Sequence, residues 1–419
     1  MIIEFSVRNY KSIADKQTFS MIAQNGDEFE ENVTQVTENK KLRLVNSSAI
    51  YGPNAAGKSN IISALKTMAQ IVVNSAVSKT TSSLPVVSFK LDQQFSKSAS
   101  EFELNFISEG IRYQYGFTLS EEQIIDEWLF AFPKGRAQKW FVRLWDEEKQ
   151  DYEWELGNSL VGEKSIWTKS TRKNALFLST AIQLNSSQLK PVYDWFNTRL
   201  RVSHLLGFDQ EFSAERCIND KKEILNFLKA ADVGIDDLVV KKEKFDPKSI
   251  PDEMPEPLKN LVIEKMKDSD EYIIQTMHKN SNGDMTLFDL EDESHGTRKL
   301  FGFAGPILDS LKCGNVLVID ELNNNLHPKI VEFIVKLFHN KNINNKGAQL
   351  IFSTHETSIL NQKIFRRDQI WFVEKDSSQA TSLFPLSDFS PRKGREDLES
   401  AYLEGRYGAL PFVDASKEF

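Results

Sequence analysis

Gly52-Pro53-Asn54-Ala55-Ala56-Gly57-Lys58-Ser59 places glycine at its first and sixth positions and closes on lysine and serine. This is the full P-loop pattern. The short apolar run Ser48-Ala49-Ile50-Tyr51 precedes it, and an amphipathic stretch from Asn60 to about Val73 follows. Strand, loop and helix in that order are the context the pattern requires. Glycines let successive backbone N–H groups curl around phosphate oxygens at a helix N-terminus. The cradle is therefore expected to run from Gly52 to Asn60, with Lys58 on the outer phosphates and Ser59 as a ligand for Mg²⁺.

A second apolar run, Val316-Leu317-Val318-Ile319, ends in Asp320-Glu321, and a third, ending in Phe352-Ser353-Thr354, delivers His355. The C-terminal ends of buried strands are where α/β sheets bind ligands. Taken alone, an acidic pair at a strand end is most often solvated and a lone histidine is most often structural. Beside a P-loop they gain roles: Asp320 in the Mg²⁺ shell, Glu321 as general base on the attacking water, His355 on the γ-phosphate. His204, His278, His295, His327 and His339 show no metal-ligand spacing.

Between these motifs the pattern changes twice. From about Val86 to Trp145 apolar residues alternate, as in Phe102, Leu104 and Phe106, which predicts an antiparallel sheet turning at Glu109-Gly110 and Pro133-Lys134-Gly135. Residues 171–230 read as helical, including Ser187–Phe196 and Lys221–Ala230. Pro247, Pro251, Pro255 and Pro257 mark a linker or irregular segment, and Asn282-Gly283 predicts a hairpin. A helix from Ile330 to Phe338 separates two parallel strands, completing a βαβ unit.

With 419 residues the chain exceeds the roughly 250–300 at which a single core stops growing. A net charge of −8 removes a whole-protein case for binding polyanions, so nucleic acid would need a local patch. The best candidate interleaves Lys134, Arg136, Lys139 and Arg143 with Trp140, Phe141 and Trp145. Cys217 and Cys313 are far apart, which argues against a disulfide framework and predicts two buried thiols. No apolar run approaches the roughly 18 residues needed to span a bilayer, and Met1–Phe5 lacks a basic leader, so a cytoplasmic chain without a membrane partner is expected.

P-loop, late Asp-Glu strand and a strand ending in histidine resemble the ATP-binding cassette (ABC) class of ATPase heads. Within that class the chain is similar to the OLD-like, abortive-infection AAA-type ATPases of bacterial phage defence. Phe5–Ser12 resembles the opening shared with RecF-like and SMC-like heads, Leu326-His327-Pro328 the segment after the Asp-Glu strand, and Tyr402–Pro411 a tail of the defence group. Glu293–Arg298 stands where these families carry a signature, which implies γ-phosphate contact by Ser294 and Gly296. Its letters depart from the transporters' Leu-Ser-Gly-Gly-Gln, and a helix N-cap is the plain alternative. Leu322–Asn325 likewise lacks the Asp often found there.

The resemblance implies an α/β P-loop NTPase of ABC-ATPase head type with a flanking antiparallel sheet and an inserted helical domain. The head is expected from 1–90 and 285–390, the flanking sheet from 90–150, the helical insertion from 160–265 and a tail from 391–419. ATP and Mg²⁺ are the implied cofactors. Because a signature caps nucleotide held by another subunit, one P-loop and one signature per chain imply a head-to-tail homodimer or a higher even oligomer. The stretch after His355 holds no spaced acidic constellation, so chemistry beyond ATP hydrolysis is assigned to a separate effector, a nuclease or toxin encoded nearby. A RecF-like DNA-maintenance ATPase is the main alternative. A ribonuclease using Arg199 and His204 in the insert is a weaker one, and a transporter motor the weakest.

Overall fold

The computed structural model describes residues 1–26, 28–36, 42–203, 207–245, 247, 250, 254–266, 270–392, 394 and 396–411. His204 and Pro251, which figured in the sequence reading, and the closing residues 412–419 lie outside them. Two compact units are present, one of residues 1–205 and 310–419 and the other of 206–309.

The first unit begins with strands β1 (Ile2–Arg8), β2 (Gln17–Ser20), β3 (Val33–Gln35), β4 (Arg43–Val45) and β5 (Ser47–Tyr51), then helices α1 (Lys58–Asn74) and α2 (Gln93–Ser96). Strands β6 (Ser100–Ser108), β7 (Ile111–Leu119), β8 (Ile124–Phe132), β9 (Gln138–Asp146) and β10 (Asp151–Leu156) follow. They form an antiparallel sheet in the order β10-β9-β8-β7-β6-β1-β2. Burial alternates residue by residue along β6, as its period-two pattern predicts. The opening strand belongs to this sheet, which therefore begins at β1 and reaches past 150 to Leu156.

After α3 (Lys164–Ser170), α4 (Phe177–Gln183), α5 (Lys190–Asp194) and a π-helical turn at Trp195–Arg199, the chain enters β11 (Leu200–Val202). The helical insertion expected over 160–265 is thus corrected. Residues 160–203 belong to the first unit, and Leu200–Val202 pairs in parallel with Val316–Val318. Three extended residues are too few to show a period of their own. Arg199 braces that junction, donating to the Cys313 carbonyl (2.9 Å) and to Asn315 Oδ1 (3.3 Å).

The second unit contains α6 (Gln210–Ala230), β12 (Asp237–Lys244), α7 (Glu256–Met266), β13 (Asp270–Lys279), β14 (Met285–Asp289) and α8 (His295–Cys313) as far as Asp309. It is mixed rather than helical: β12, β13 and β14 form an antiparallel sheet, with the β13–β14 hairpin closing around Asn282-Gly283. Pro257 sits in the first turn of α7, where its missing N–H costs nothing. Helices α6 and α8 pack closely enough that a Cβ on Gly305 would lie 2.8 Å from Ser213 Cα.

Back in the first unit, β15 (Val316–Ile319), α9 (Pro328–His339), β16 (Gln349–Ser353), β17 (Ile370–Lys375), β18 (Thr381–Pro385) and α10 (Leu398–Leu403) complete the chain. The second sheet has the order β11-β15-β16-β5-β17-β18, parallel except for β18 at its edge. Strands β5, β15 and β16 are buried along their whole length, as expected of parallel strands covered on both faces. Helix α1 shares one core with both sheets, Ile61, Leu65, Met68 and Val72 joining Phe102, Phe106 and Phe117 as well as Val318 and Ile351. Each such side chain contributes about 1.5–3 kcal/mol when fully buried.

Two expectations fail here for physical reasons. Arg143 is fully buried, on β9 opposite Glu127 of β8, and Lys139 is ion-paired with Glu155, while Trp140 and Phe141 face the core. The aromatic and basic run is therefore not one interleaved exposed face: Arg143, Trp140 and Phe141 are withdrawn from it, while Lys134 and Arg136 stay exposed. Cys217 is buried, but Cys313 at the end of α8 is exposed.

Candidate functional site

The parallel register brings three loops to one sheet edge, because Phe352 lies beside both Ile319 and Ala49, and Ala49 beside Ile370. The P-loop leaves β5 through Gly52, at φ 155°, where a Cβ would sit 2.2 Å from the Val373 carbonyl oxygen. It re-enters helix at Gly57, φ 116°, whose absent Cβ would meet Thr381 Oγ1 at 2.2 Å. Only glycine fits either place. No side chain caps the N-terminus of α1, so its first amides face outward as an anion site.

Lys58 opens α1 with its side chain buried, its ammonium donating to the carbonyls of Gly52 (2.8 Å) and Pro53 (3.0 Å). Burial lowers its pKa to about 8, opposed by the carboxylates of Glu321 and Asp320. Asn60 donates to Ser12 Oγ (2.6 Å), which shares a hydrogen bond with Thr381 Oγ1 (2.7 Å), and Thr381 donates to the Ala56 carbonyl (2.9 Å). The opening turn and β18 thus hold the loop from behind. Thr381 carries no sequence signal, since it lies more than 300 residues from the loop it supports.

At the end of β15, Asp320 is buried and accepts at Oδ1 from Ser353 Oγ (2.5 Å), with no described residue donating to its Oδ2. Ser353 Oγ also accepts from the Glu321 N–H (2.8 Å), and the Ser353 carbonyl from the Leu322 N–H (3.1 Å). Glu321 has φ 53°, a left-handed backbone that costs a non-glycine residue about 1–3 kcal/mol and concentrates at functional sites. Asn323 Oδ1 accepts from Thr354 Oγ1 (2.9 Å) and from the His355 N–H (3.3 Å), so a residue of the Leu322–Asn325 segment anchors the histidine turn. His355 itself is exposed. Partial desolvation, then the Lys58 ammonium, hold its imidazole below the usual value, while Glu321 and Asp320 pull it up.

Lys58, Asp320, Glu321 and His355 therefore share one electrostatic neighbourhood. Ser59 and Asp320 provide a hydroxyl and an uncommitted carboxylate oxygen, a donor set that suits Mg²⁺, which takes one or two carboxylates and completes its shell with phosphates and water. No group of three His, Cys, Asp or Glu residues among the described residues could hold a metal without a ligand's help. A cavity of about 610 Å³ adjoins the loop, lined by Gly52, Pro53, Asn54 and His355 together with Tyr402 and Leu410. Ser294 and Gly296 lie in the second unit. There Ser294 Oγ accepts from the Thr297 N–H (3.1 Å), the N-cap geometry of α8.

The sequence matches the family described as "AAA domain, putative AbiEii toxin, Type IV TA system" over residues 47–361, well over half of the chain. The chain belongs to that family. This AAA-domain protein is similar in structure to the SMC head domain from Thermotoga maritima, at 14% identity over 92% of this chain and 98% of that one, TM-score 0.38. It is also similar to the recombination mediator protein RecF-ATPrS of the RecFOR pathway, at 13% identity over 92% and 98%, TM-score 0.39. An SMC head bound to the C-terminal winged-helix domain of ScpA matches at 12% identity over 92% and 97%, TM-score 0.38. These likenesses are weak, and the fold assignment rests on the family, the strand order and the P-loop. No curated protein matches the sequence. The chain is a P-loop ATPase of AAA type. Among its described residues no helix is long and apolar enough to cross a membrane.

Proposed function

We propose that this AAA-domain protein binds ATP at the loop Gly52–Asn60, hydrolyses it with Glu321, and uses the cycle to control a separate toxic effector in anti-phage defence. The observation that carries the reading is the convergence of Lys58, Asp320, Glu321 and His355 at one sheet edge. Lys58 turns from its own loop carbonyls to the β and γ phosphates. Glu321 takes a proton from water as its oxygen bonds to the γ-phosphorus and the bond to the β–γ bridging oxygen breaks, releasing ADP and phosphate. His355, held neutral, donates one N–H to a γ-phosphate oxygen. Mg²⁺, when bound by Ser59 and Asp320, supplies neutralising charge at the phosphates. The family's description as a putative toxin of a type IV toxin–antitoxin system supports defence over DNA maintenance. Burial of Arg143 also takes one of the four basic residues out of the patch a RecF-like role would use.

Ser294 and Gly296 of a second copy cap the nucleotide in this reading, which closes a head-to-tail homodimer. Light scattering on Glu321→Gln with ATP and Mg²⁺ should show the mass double, and an unchanged monomer would remove the dimer. Co-purification with the products of neighbouring genes tests the effector, and recovery of the chain alone counts against it.

Nucleotide affinity should depend on pH through Lys58. Bound phosphates favour the ammonium, and the free protein holds it with a pKa of about 8. Affinity is therefore greatest below that value and falls as pH rises through it, by up to about tenfold per unit, because binding then takes up a proton. Titration with a fluorescent ATP analogue between pH 6.5 and 9.5 checks this, and flat affinity across pH 8 contradicts it.

A further inference from the structure

His355 sits in a turn fastened at both ends. On the near side Asn323 accepts from its backbone N–H, tying it to the segment after Glu321. On the far side Thr357 Oγ1 donates to Glu399 Oε1 (2.7 Å), tying it to α10 near the end of the described chain. That end is itself clamped to the strand beside the P-loop. Tyr402 and Tyr407 both stack on Phe372 of β17, with centroids at 5.3 and 5.7 Å. The Ala409 N–H donates to Glu374 Oε2 (2.9 Å), and Tyr402 Oη to the Ala409 carbonyl (2.8 Å). Tyr402 also meets the ring of Tyr51, the residue before Gly52, edge-on at 6.1 Å. The Tyr51 hydroxyl is buried and finds no hydrogen-bond partner among the described residues. The same segment lines the 610 Å³ cavity that Asn54 and His355 also line.

We propose that Leu398–Pro411 is a structural wall of the nucleotide site and that Glu399, acting through Thr357, is a positioning residue for His355. The proposal rests on the ATPase reading above and adds the segment that sets the histidine's place. Asn323 holds the backbone at His355 and Thr357 the backbone two residues on, so releasing either should let the imidazole shift by about an ångström. Displacements of that size cost about a hundredfold in rate when they separate reacting groups. Glu399 touches no phosphate in this scheme, so ATP binding through the P-loop is untouched by its loss.

The test compares Glu399→Ala with Glu399→Gln, whose amide oxygen still accepts from Thr357, and with Thr357→Val. In Glu399→Ala and Thr357→Val, kcat should fall about tenfold to a hundredfold while KM and the affinity for a fluorescent ATP analogue stay within about twofold. Glu399→Gln should recover most of the rate. Independently of turnover, hydrogen exchange at the Ser358 and Leu360 amides, without nucleotide, should quicken in the alanine variant and not in the glutamine one. Unchanged exchange and wild-type kcat in Glu399→Ala overturn the proposal, as does a glutamine variant as impaired as the alanine one. A wild-type protein that binds ATP but never hydrolyses it overturns the ATPase reading instead, and the exchange result still decides the positioning role.

Discussion

Replacement of Glu321 by Gln should cut ATP hydrolysis by about a hundredfold to ten-thousandfold, the range a positioned general base contributes, while leaving nucleotide binding intact. The substitution preserves shape. The bond from the backbone N–H at 321 to Ser353 Oγ does not depend on the side chain, nor does the Ser353 bond to Asp320. The left-handed backbone at 321 is held by those contacts, so glutamine inherits the same placement without the ability to take a proton. Binding depends on Lys58 and the α1 N-terminus, which remain. Single-turnover hydrolysis with labelled ATP, alongside affinity from a fluorescent analogue, separates the two steps. Rates within a few-fold of wild type would sink the assignment of Glu321, and loss of binding would show that the change had disturbed the loop.

The second large effect concerns stability. Glu127→Ala should destabilise the first unit by about 3–5 kcal/mol, the usual consequence of leaving a buried charge without its partner. Glu127 and Arg143 have no exposed surface, and their charged groups lie 3.7 Å apart. Glu127 also accepts from Tyr115 Oη (3.0 Å) and from the N–H groups of Phe177 (2.6 Å) and Leu178 (3.1 Å). Arg143 donates to the carbonyls of Ala175 (2.7 Å) and Arg172 (3.1 Å) and lies 3.7 Å over the Tyr152 ring. Burial pushes the Glu127 carboxyl up and the Arg143 guanidinium down, so each ion tolerates the interior because of the other and these bonds. Truncating the glutamate strands a guanidinium and three donors together. The double change Glu127→Leu with Arg143→Met should recover only the part of the loss that comes from the unpaired guanidinium, since Tyr115 Oη and the Phe177 and Leu178 N–H groups still lack their acceptor. Urea midpoints for the wild type, the single and the double variant measure this. A single variant within 1 kcal/mol of wild type would show that water reaches the pair.

How much of this was readable beforehand depends on how far apart the cooperating residues lie in sequence. The P-loop was legible because every residue of the cradle is contiguous and its strand and helix flank it directly. The Asp320-Glu321 and His355 strand ends were legible because unbroken apolar runs announce buried parallel strands. Asn282-Gly283 announced its hairpin in two residues. The place of Arg143 is not legible in sequence because its partner Glu127 sits on the neighbouring strand, sixteen positions away, where no local pattern reports it. Strand β11 was hidden by its length, and its place beside β15 is set by pairing across more than a hundred residues. Thr381 and Glu399 look like ordinary surface polar residues in sequence. Their importance arises from contacts that exist only once distant segments have met.

The outermost strand of the large antiparallel sheet has a bearing on how the molecule behaves at high concentration. Asp151, Glu153 and Glu155 are the exposed residues of β10, while Tyr152, Trp154 and Leu156 turn inward. Glu153 is paired with Lys149 and Glu155 with Lys139, so a second copy aligning along this edge would meet a row of charged side chains, which disfavours strand addition. The margin thus discourages runaway sheet-to-sheet polymerisation, leaving other faces of the protein to govern which companions it accepts.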